Sequence, residues 1–494
     1  MTDQEQTLAT DDDRRLPTLL EAVLPLLAMG IILGIGYLKF GARSELLLIA
    51  SAVAAGLVAL RLGLTWKEME EGIVASISKA MPAMLIVIVV GALIASWLVS
   101  GTIPYIVYHG LHLVSPRWFL VTAYLLCSVV SVVIGTSWGT IGTVGVALIG
   151  IAEGIGAPLA PTAGAIVAGA YFGDKLSPFS DTTNLAPIAA RSNLYDHIGH
   201  MLWTTVPAWL LGLIVYAWVG AQSVVGGDAN TASVEALSTA IESHFHLHPV
   251  LLLPPAITLG AAVLRYPVIP GMLASIVLAL GLYAALQPYD PSVLGKPGRF
   301  ELNTPPLVQA AKTLVTGPKP DTDSPALNTI LNRGGMQAMM NTMLIALCAF
   351  AFAGIAQKAR MLEVILNALS RYARTNGLLI AFTALACLLV AGLTGNSYLA
   401  ILVPGELFAA EYRRRNLAAK NLSRTTEDSG TVIVPLIPWS ISAAFIMGTL
   451  DVPASQYAPW AVMCYTGFLF ALLYGFTGIG IASRKRDDET TPGS

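Results

Sequence analysis

The chain has 494 residues, 55% of them hydrophobic and only 12% charged, with a mean hydropathy of +0.68 and a formal net charge of −2. A soluble domain carries roughly 25% charged residues, so the composition excludes an ordinary globular enzyme and points to an all-α polytopic membrane protein with lipid around it. The lack of a basic field excludes nucleic acid as a partner.

In chain order, residues 1–18 form a polar tail that includes Asp11-Asp12-Asp13-Arg14-Arg15, and the apolar run 19–38 follows. That run is longer than the hydrophobic region of a signal peptide and reads as a first membrane helix. Crossing a bilayer takes about 20 apolar residues. Further full-length candidates lie at 46–62, 82–99, 118–134, 198–219, 248–264, 267–286, 336–356, 376–393, 430–448 and 459–481. Three apolar pieces, 139–152, 159–172 and 397–411, are too short to span alone, so about 11–14 membrane segments are expected. Residues 63–80 read as a short interfacial helix, 220–247 as an extramembrane linker, the proline-rich stretch 287–334 as an irregular surface loop, and 482–494 as a charged tail.

The two halves resemble each other. Met81-Pro-Ala-Met corresponds to Met336-Gln-Ala-Met (336 − 81 = 255), and Thr136-Ser137-Trp138 to Asn396-Ser397-Tyr398 (397 − 137 = 260). Leu176–Asp181 corresponds to Leu422–Glu427 (427 − 181 = 246), and Pro25–Gly30 to Pro255–Gly260. The chain therefore reads as two repeats, 19–219 and 248–481. Short, interrupted segments at matching places in two halves point to a transporter's binding site. The repeats differ where apolar 159–172 meets Arg-rich 412–421, which reads as a surface connection. Arg413–Arg415, the basic stretch 357–374 and Arg484-Lys485-Arg486 indicate a cytoplasmic face and a cytoplasmic C-terminus. All three share that face only if 376–393 and 397–411 form a hairpin or double pass.

The main polar concentration is Phe172–Pro187, which holds Asp174, Lys175, Ser177, Ser180, Asp181, Thr182, Thr183 and Asn184. Gly173 and Pro178 oppose a continuous helix, which frees backbone carbonyls as ligands. These hard oxygen donors suit alkali cations better than soft metals. A buried carboxylate holds either a proton or a cation, and each disfavours the other. That competition is sufficient for cation/proton exchange. The competing reading is a solvated loop with a Ser177-Pro178 turn, and Lys175 is either a countercharge to an Asp or a snorkelling side chain.

A second break, Ile134–Gly145, offers Thr136 and Ser137, with Asn396 and Ser397 at the matching place in the second half. Tight small-residue packing accounts for its glycines but less well for its hydroxyls. Glu427-Asp428 is a third polar element, for which a functional role and a surface salt bridge both stay open. Glu406 is an additional acid inside a short apolar piece. His197 and His200 read as interfacial, and His244, His246 and His248 as an exposed loop. Cys127, Cys348, Cys387 and Cys464 lie in apolar runs without ligand spacing and read as packed small hydrophobes. No cofactor is expected.

The segments FGDKLSPFSDTTNLAP (172–187) and GTSWGTIGTVG (135–145) resemble the NhaC-type sodium/proton antiporter family of the ion-transporter superfamily, and the repeat layout extends the likeness over most of 19–481. The resemblance implies inverted repeats with discontinuous helices and secondary exchange of Na+ for H+ across the cytoplasmic membrane of a prokaryote. Carried onto this chain, it implicates Asp174, Ser177, Asp181, Thr182 and Asn184, with Thr136 and Ser137 from the first break. Phe179 stands where the family pattern has Leu. Exchange of an organic acid is the nearest alternative and would need a cationic pocket; Lys175 is the only cationic side chain in the main motif. A passive cation channel is more remote. An intramembrane aspartyl protease would need GxGD where residues 171–174 read Tyr-Phe-Gly-Asp, and there is no HExxH, so the chain is not expected to be an enzyme. The sequence is compatible with self-association and does not define an oligomeric state.

Overall fold

A computed structural model describes residues 15–113, 115–222, 227–264, 266–295 and 305–484. The tail before Arg15, Pro297 and the Lys485-Arg486 end lie outside the described residues. Among the described residues all repeating structure is helical, with one isolated β-bridge between Leu417 and Ser483. Seven helices among the described residues are long and apolar enough to cross a membrane, or up to ten if each of three bent helix pairs forms one span. Leu20, Leu24, Leu27, Ile31 and Ile35 are all exposed along the first helix, Leu19–Phe40. That row at helical spacing faces outward where a soluble protein would bury it, as lipid contact requires. The protein is an all-α polytopic membrane protein.

Two predicted connections differ from what is observed. Residues 66–80 are continuous with the span that follows in one helix, Trp66–Val99, which bends by 40° just after Pro82. It starts at Thr65, whose hydroxyl accepts from Glu68 N while the Glu68 carboxylate accepts from Thr65 N at 2.8 Å. This reciprocal cap satisfies two donors that the helix end would otherwise leave bare. The described part of 287–334 is not wholly irregular either, because Pro291–Leu294, Pro306–Thr316 and Pro325–Leu331 are helical. Each begins on proline, whose fixed φ and missing N–H suit a first helical position. The linker 220–247 carries the helix Gly227–His244.

Eight helices build the centre. In the first half they are α1 (Phe119–Ile134), α2 (Ser137–Thr140), α3 (Leu159–Leu176) and α4 (Asp181–Ala190). In the second they are α5 (Asn376–Thr394), α6 (Ser397–Arg414), α7 (Ala419–Gly430) and α8 (Ile441–Leu450). The order of local devices is the same in both. α1 and α5 each stop at a left-handed glycine, Gly135 (φ 78°) and Gly395 (φ 59°), and the next helix restarts one residue later from Thr136 or Asn396. α4 and α8 each have ten residues, start from a serine cap and end at a left-handed residue, Arg191 or Asp451. This order corrects one sequence correspondence. Asp174 aligns with Asp428 (428 − 174 = 254) and Ser180 with Ser440 (440 − 180 = 260), offsets close to the 255 and 260 of the Met81 and Ser137 matches.

α3 runs unbroken through Gly173, contrary to expectation, and the chain opens only at Ser177–Ser180. Gly173 instead permits close approach: a Cβ there would lie 2.4 Å from Val132 N and 2.6 Å from Ser128 O on α1. Helices in lipid associate through such small-residue contacts. Gly173→Ala is therefore expected to destabilise the protein by about 1–3 kcal/mol, read as a lower melting temperature in detergent. Gly199→Ala, where nothing lies within 4 Å, should leave the melting temperature level or raise it.

The largest departure is α7. Residues 412–421 were expected to be a surface connection; Arg413, Arg414 and Asn416 are exposed where α6 ends and the chain turns, but α7 starts at Ala419 and turns inward. Every residue from Asn421 to Gly430 is buried. This strongly polar helix is surrounded by α4, α5, α6, Leu194–Gln222 and Val462–Thr477 rather than by hydrocarbon. Its side chains find partners there. Asn421 Nδ2 donates to Ala418 O and Ala482 O, Thr425 Oγ1 to Asn421 O, and Arg424 Nη1 to Gly480 O.

Candidate ion-binding site

All four helix breaks open on one cavity of about 430 Å³. Its wall takes Gly135, Thr136 and Ser137 from the first break, Ser180, Asp181 and Thr182 from the second, Gly395, Asn396 and Ser397 from the third, and Thr431, Ile441 and Ser442 from the fourth. Tyr171, Asp174 and Tyr398 complete the polar lining, with Lys79 and Pro82 contributed by Trp66–Val99.

Four helices start at these breaks, and a helix start bears partial positive charge from unpaired N–H groups. Here side chains of the breaks engage some of those donors. Thr136 accepts from Gly139 N, Ser180 from Thr183 N, Asn396 from Tyr398 N and Leu399 N, and Ser440 from Ala443 N. In the cavity lining the two carboxylates, Asp174 and Asp181, outnumber the single lysine, Lys79. Asp174, near the end of α3, is buried, and Ser137 Oγ donates to its Oδ2 at 2.7 Å. Asp181, the first residue of α4, is exposed, and Tyr398 Oη donates to its Oδ2 at 3.2 Å. The two carboxylates belong to the same half, while their hydroxyl partners come from opposite halves.

Two further features shape the site. Trp138 stacks on Phe445 across the halves, with ring centroids 4.5 Å apart and planes 6° from parallel. Residues Ile141–Gly145 form a π-helical turn, a geometry that displaces backbone carbonyls and is frequent at functional sites. Tyr398→Phe removes only the hydrogen bond to Asp181. A net loss of about 0.5–1.5 kcal/mol predicts a roughly two- to tenfold rise in half-saturating Na+ in a vesicle exchange assay, with insertion unchanged.

The remaining residues singled out in the sequence fall into three groups. Ser177 Oγ donates to Val132 O at 2.8 Å, Thr183 Oγ1 to Asp174 O and Lys175 O, and Asn184 Nδ2 to Pro178 O and Ser180 O. These three side chains brace the break and do not line the cavity. Glu406 is exposed beside a separate surface pocket with Arg360 and Glu363. Lys175, Glu427 and Asp428 lie behind the cavity wall, fully buried. Lys175 neither snorkels nor pairs with an Asp of its own motif; its Nζ forms an ion pair with Asp428 of the second half.

The surface salt bridge considered for Glu427-Asp428 is thus replaced by a buried cluster, because α7 is sealed inside the protein. His197 and His200 are buried rather than interfacial, meeting Ser423 Oγ at 2.9 Å and Asn421 Oδ1 at 3.0 Å. His244 meets Asp290 Oδ2 at 2.6 Å, and among the described residues no group of three or more His, Cys, Asp or Glu is placed to hold a metal. The four cysteines are buried and unpaired. Sequence reasoning passed over Tyr171, Lys79 and Ser442, and used Tyr398 only as part of a repeat match. Tyr398 had a usable signal, since it adjoins the polar break; Lys79 had none.

Residues 169–479 match the Na+/H+ antiporter family. The chain is 42% identical to an uncharacterized Na+/H+ antiporter of Haemophilus influenzae, over 97% of this chain and 100% of that one. It is 36% identical to the Na+/H+ antiporter NhaC of Alkalihalophilus pseudofirmus, over 86% and 88%. It is also 31% identical to a malate-2H+/Na+-lactate antiporter of Bacillus subtilis, over 94% and 96%. With the family match covering residues 169–479 and a 36%-identical relative matched over 86% of the chain, this protein belongs to the Na+/H+ antiporter family.

Proposed function

We propose that the protein exchanges Na+ for H+ across the cytoplasmic membrane of a prokaryote by alternating access, with its C-terminus in the cytoplasm. The observation that carries this reading is the pairing of Asp174 and Asp181 in one cavity at the meeting point of four broken helices. Their carboxylates, with oxygens of Thr136, Ser137, Thr182, Asn396 and Ser397, are the proposed cation ligands. All are hard donors suited to an alkali cation. A cation among them favours ionised carboxylates and protons displace it, so one site serves both ions in turn. Movement of one group of helices against the other exposes such a midpoint site to each side alternately. The lining carries two carboxylates against one lysine, a balance that favours a cation over an organic anion and supports inorganic exchange over the malate/lactate type.

The test is dissipation of an imposed pH gradient in proteoliposomes on addition of Na+, Li+ or K+, with and without malate or lactate. Na+ alone is expected to collapse the gradient. A response that requires the organic acid would overturn the assignment, and ion flow without counterflow would indicate a channel.

A further inference from the structure

We infer that Arg333 is a latch that keeps the cavity closed on the face opposite the basic helix ends, and that its ion pair with Glu153 must part before ions pass on that side. The latch presupposes alternating access as read above and is the contact that moves.

Arg333 precedes the helix Met336–Lys358 by three residues, and that helix ends at Lys358 in the basic stretch 357–374. Its 23 residues reach about 34 Å at 1.5 Å per residue, so Arg333 lies on the far face. Two spans broken at the cavity continue toward that face. One runs from Ser137 through the π-helical turn into the helix Val146–Gly154, and the other is α8. Layers follow one another along α8. Ser442 lines the cavity, Phe445 stacks on Trp138 of the other span, and Gly448 lies so close to Met339 that a Cβ would meet its Sδ at 2.6 Å. Leu450 then meets Arg333.

One guanidinium joins the far ends of both spans. Arg333 Nη2 donates to Glu153 Oε1 on Val146–Gly154, and Nη1 donates to Leu450 O at the end of α8, at 3.4 Å. That carbonyl is among those a helix end leaves without an intrahelical partner, and a cation beside it is favourable. Asp451, the next residue, also acts on Glu153. Two acids from separate spans are therefore held together by one cation, and without it they repel. The side chains of Arg333 and Glu153 are only 10% and 8% exposed, so salt screens the pair little.

The latch is mounted on neither broken span. Gly334 and Gly335 follow it with φ of 75° and 89°, and Gly335 N donates to Gly91 O at 2.7 Å on Trp66–Val99. A Cβ on Gly334 would lie 2.8 Å from Ala95 N of the same helix. Arg333 is thus fixed to an outside support while it grips two half-spans that line the cavity. It does not line the cavity itself, so its role is to hold the two ends and not to bind the transported ion.

The test puts a reporter thiol in the cavity, Ser442→Cys, in the full-length protein; the four native cysteines are buried, and protein without the reporter gives the background. A membrane-impermeant maleimide is applied to right-side-out and to inverted vesicles. Arg333→Gln and Glu153→Gln should each raise the labelling rate from the Arg333 face roughly tenfold or more, the effect of losing a hydrogen bond to a charged group, with no rise from the other face. Unchanged labelling in both variants overturns the latch, and so does an equal rise from both faces. Should the single variants not fold, Arg333→Cys with Glu153→Cys removes both charges together and leaves neither unpaired. Joining these thiols with a reducible bifunctional reagent is expected to stop Na+-driven proton movement in proteoliposomes, and reduction to restore it. Exchange untouched by the cross-link refutes the latch, whereas a wild type that shows no exchange at all refutes the exchange reading instead.

Discussion

Asp174→Asn is expected to abolish Na+-driven proton movement while the protein still inserts and purifies. Asp174 is the buried carboxylate of the cavity, and its Oδ2 accepts from Ser137 across the first break. Asn preserves the shape and can still meet Ser137 Oγ, but it carries no charge for Na+ and takes up no proton. Removing one positioned acid or base group lowers rates by about 10²–10⁴-fold, and a loss in that range is the expected reading in a proteoliposome pH-gradient assay. Asp181→Asn should lose less, because Asp181 is exposed and sits in the first turn of α4, where the helix start already offsets part of its charge. Full, pH-dependent exchange in both variants would mean that the ions pass elsewhere.

Lys175→Met is expected to be the most damaging single change to stability. Lys175 and Asp428 are both fully buried and pair across the two halves. Removing one partner leaves the other as an uncompensated buried charge, at a cost of about 3–5 kcal/mol. The same principle predicts rescue: a pair replaced by groups of similar volume without charge is often neutral or better. Lys175→Met combined with Asp428→Leu should therefore recover most of the melting temperature lost by Lys175→Met alone. Transport need not return with it, since the charge balance behind the cavity has changed. If Lys175→Met alone melts like the wild type in detergent, the pair is not a structural tie between the halves.

What could be read from the sequence follows from one contrast. Polar side chains are so unfavourable in lipid that a cluster of them in an apolar chain draws attention by itself, and so Asp174, Asp181, Thr136, Ser137, Asn396 and Ser397, which line one cavity, stand out in the sequence. The matched positions of Gly135 with Gly395, and of the breaks that follow them, were legible for the same reason. Ser177, Thr183 and Asn184 were legible as polar but not as braces. Whether a hydroxyl or amide reaches a neighbouring carbonyl or an open cavity depends on where the chain turns after Leu176, and composition does not say.

That α7 is buried escaped the sequence for a single physical reason. Hydropathy judges a segment against lipid or water as its solvent, and α7 has neither, because other helices surround it on every side. A helix with one leucine among Asn, Ser, Arg, Thr, Glu and Asp is stable there only because its partners arrive from distant parts of the chain: Lys175, His197, His200 and the carbonyls of Gly480 and Ala482. By itself, then, the sequence determined the membrane class, the family resemblance and the places where helices break, since each depends on local composition and spacing. Only the tertiary structure decided that the four breaks share one cavity and that a polar helix lies sealed behind it. Those are facts about long-range contact, and a buried charge is acceptable or not according to neighbours that lie hundreds of residues away along the chain.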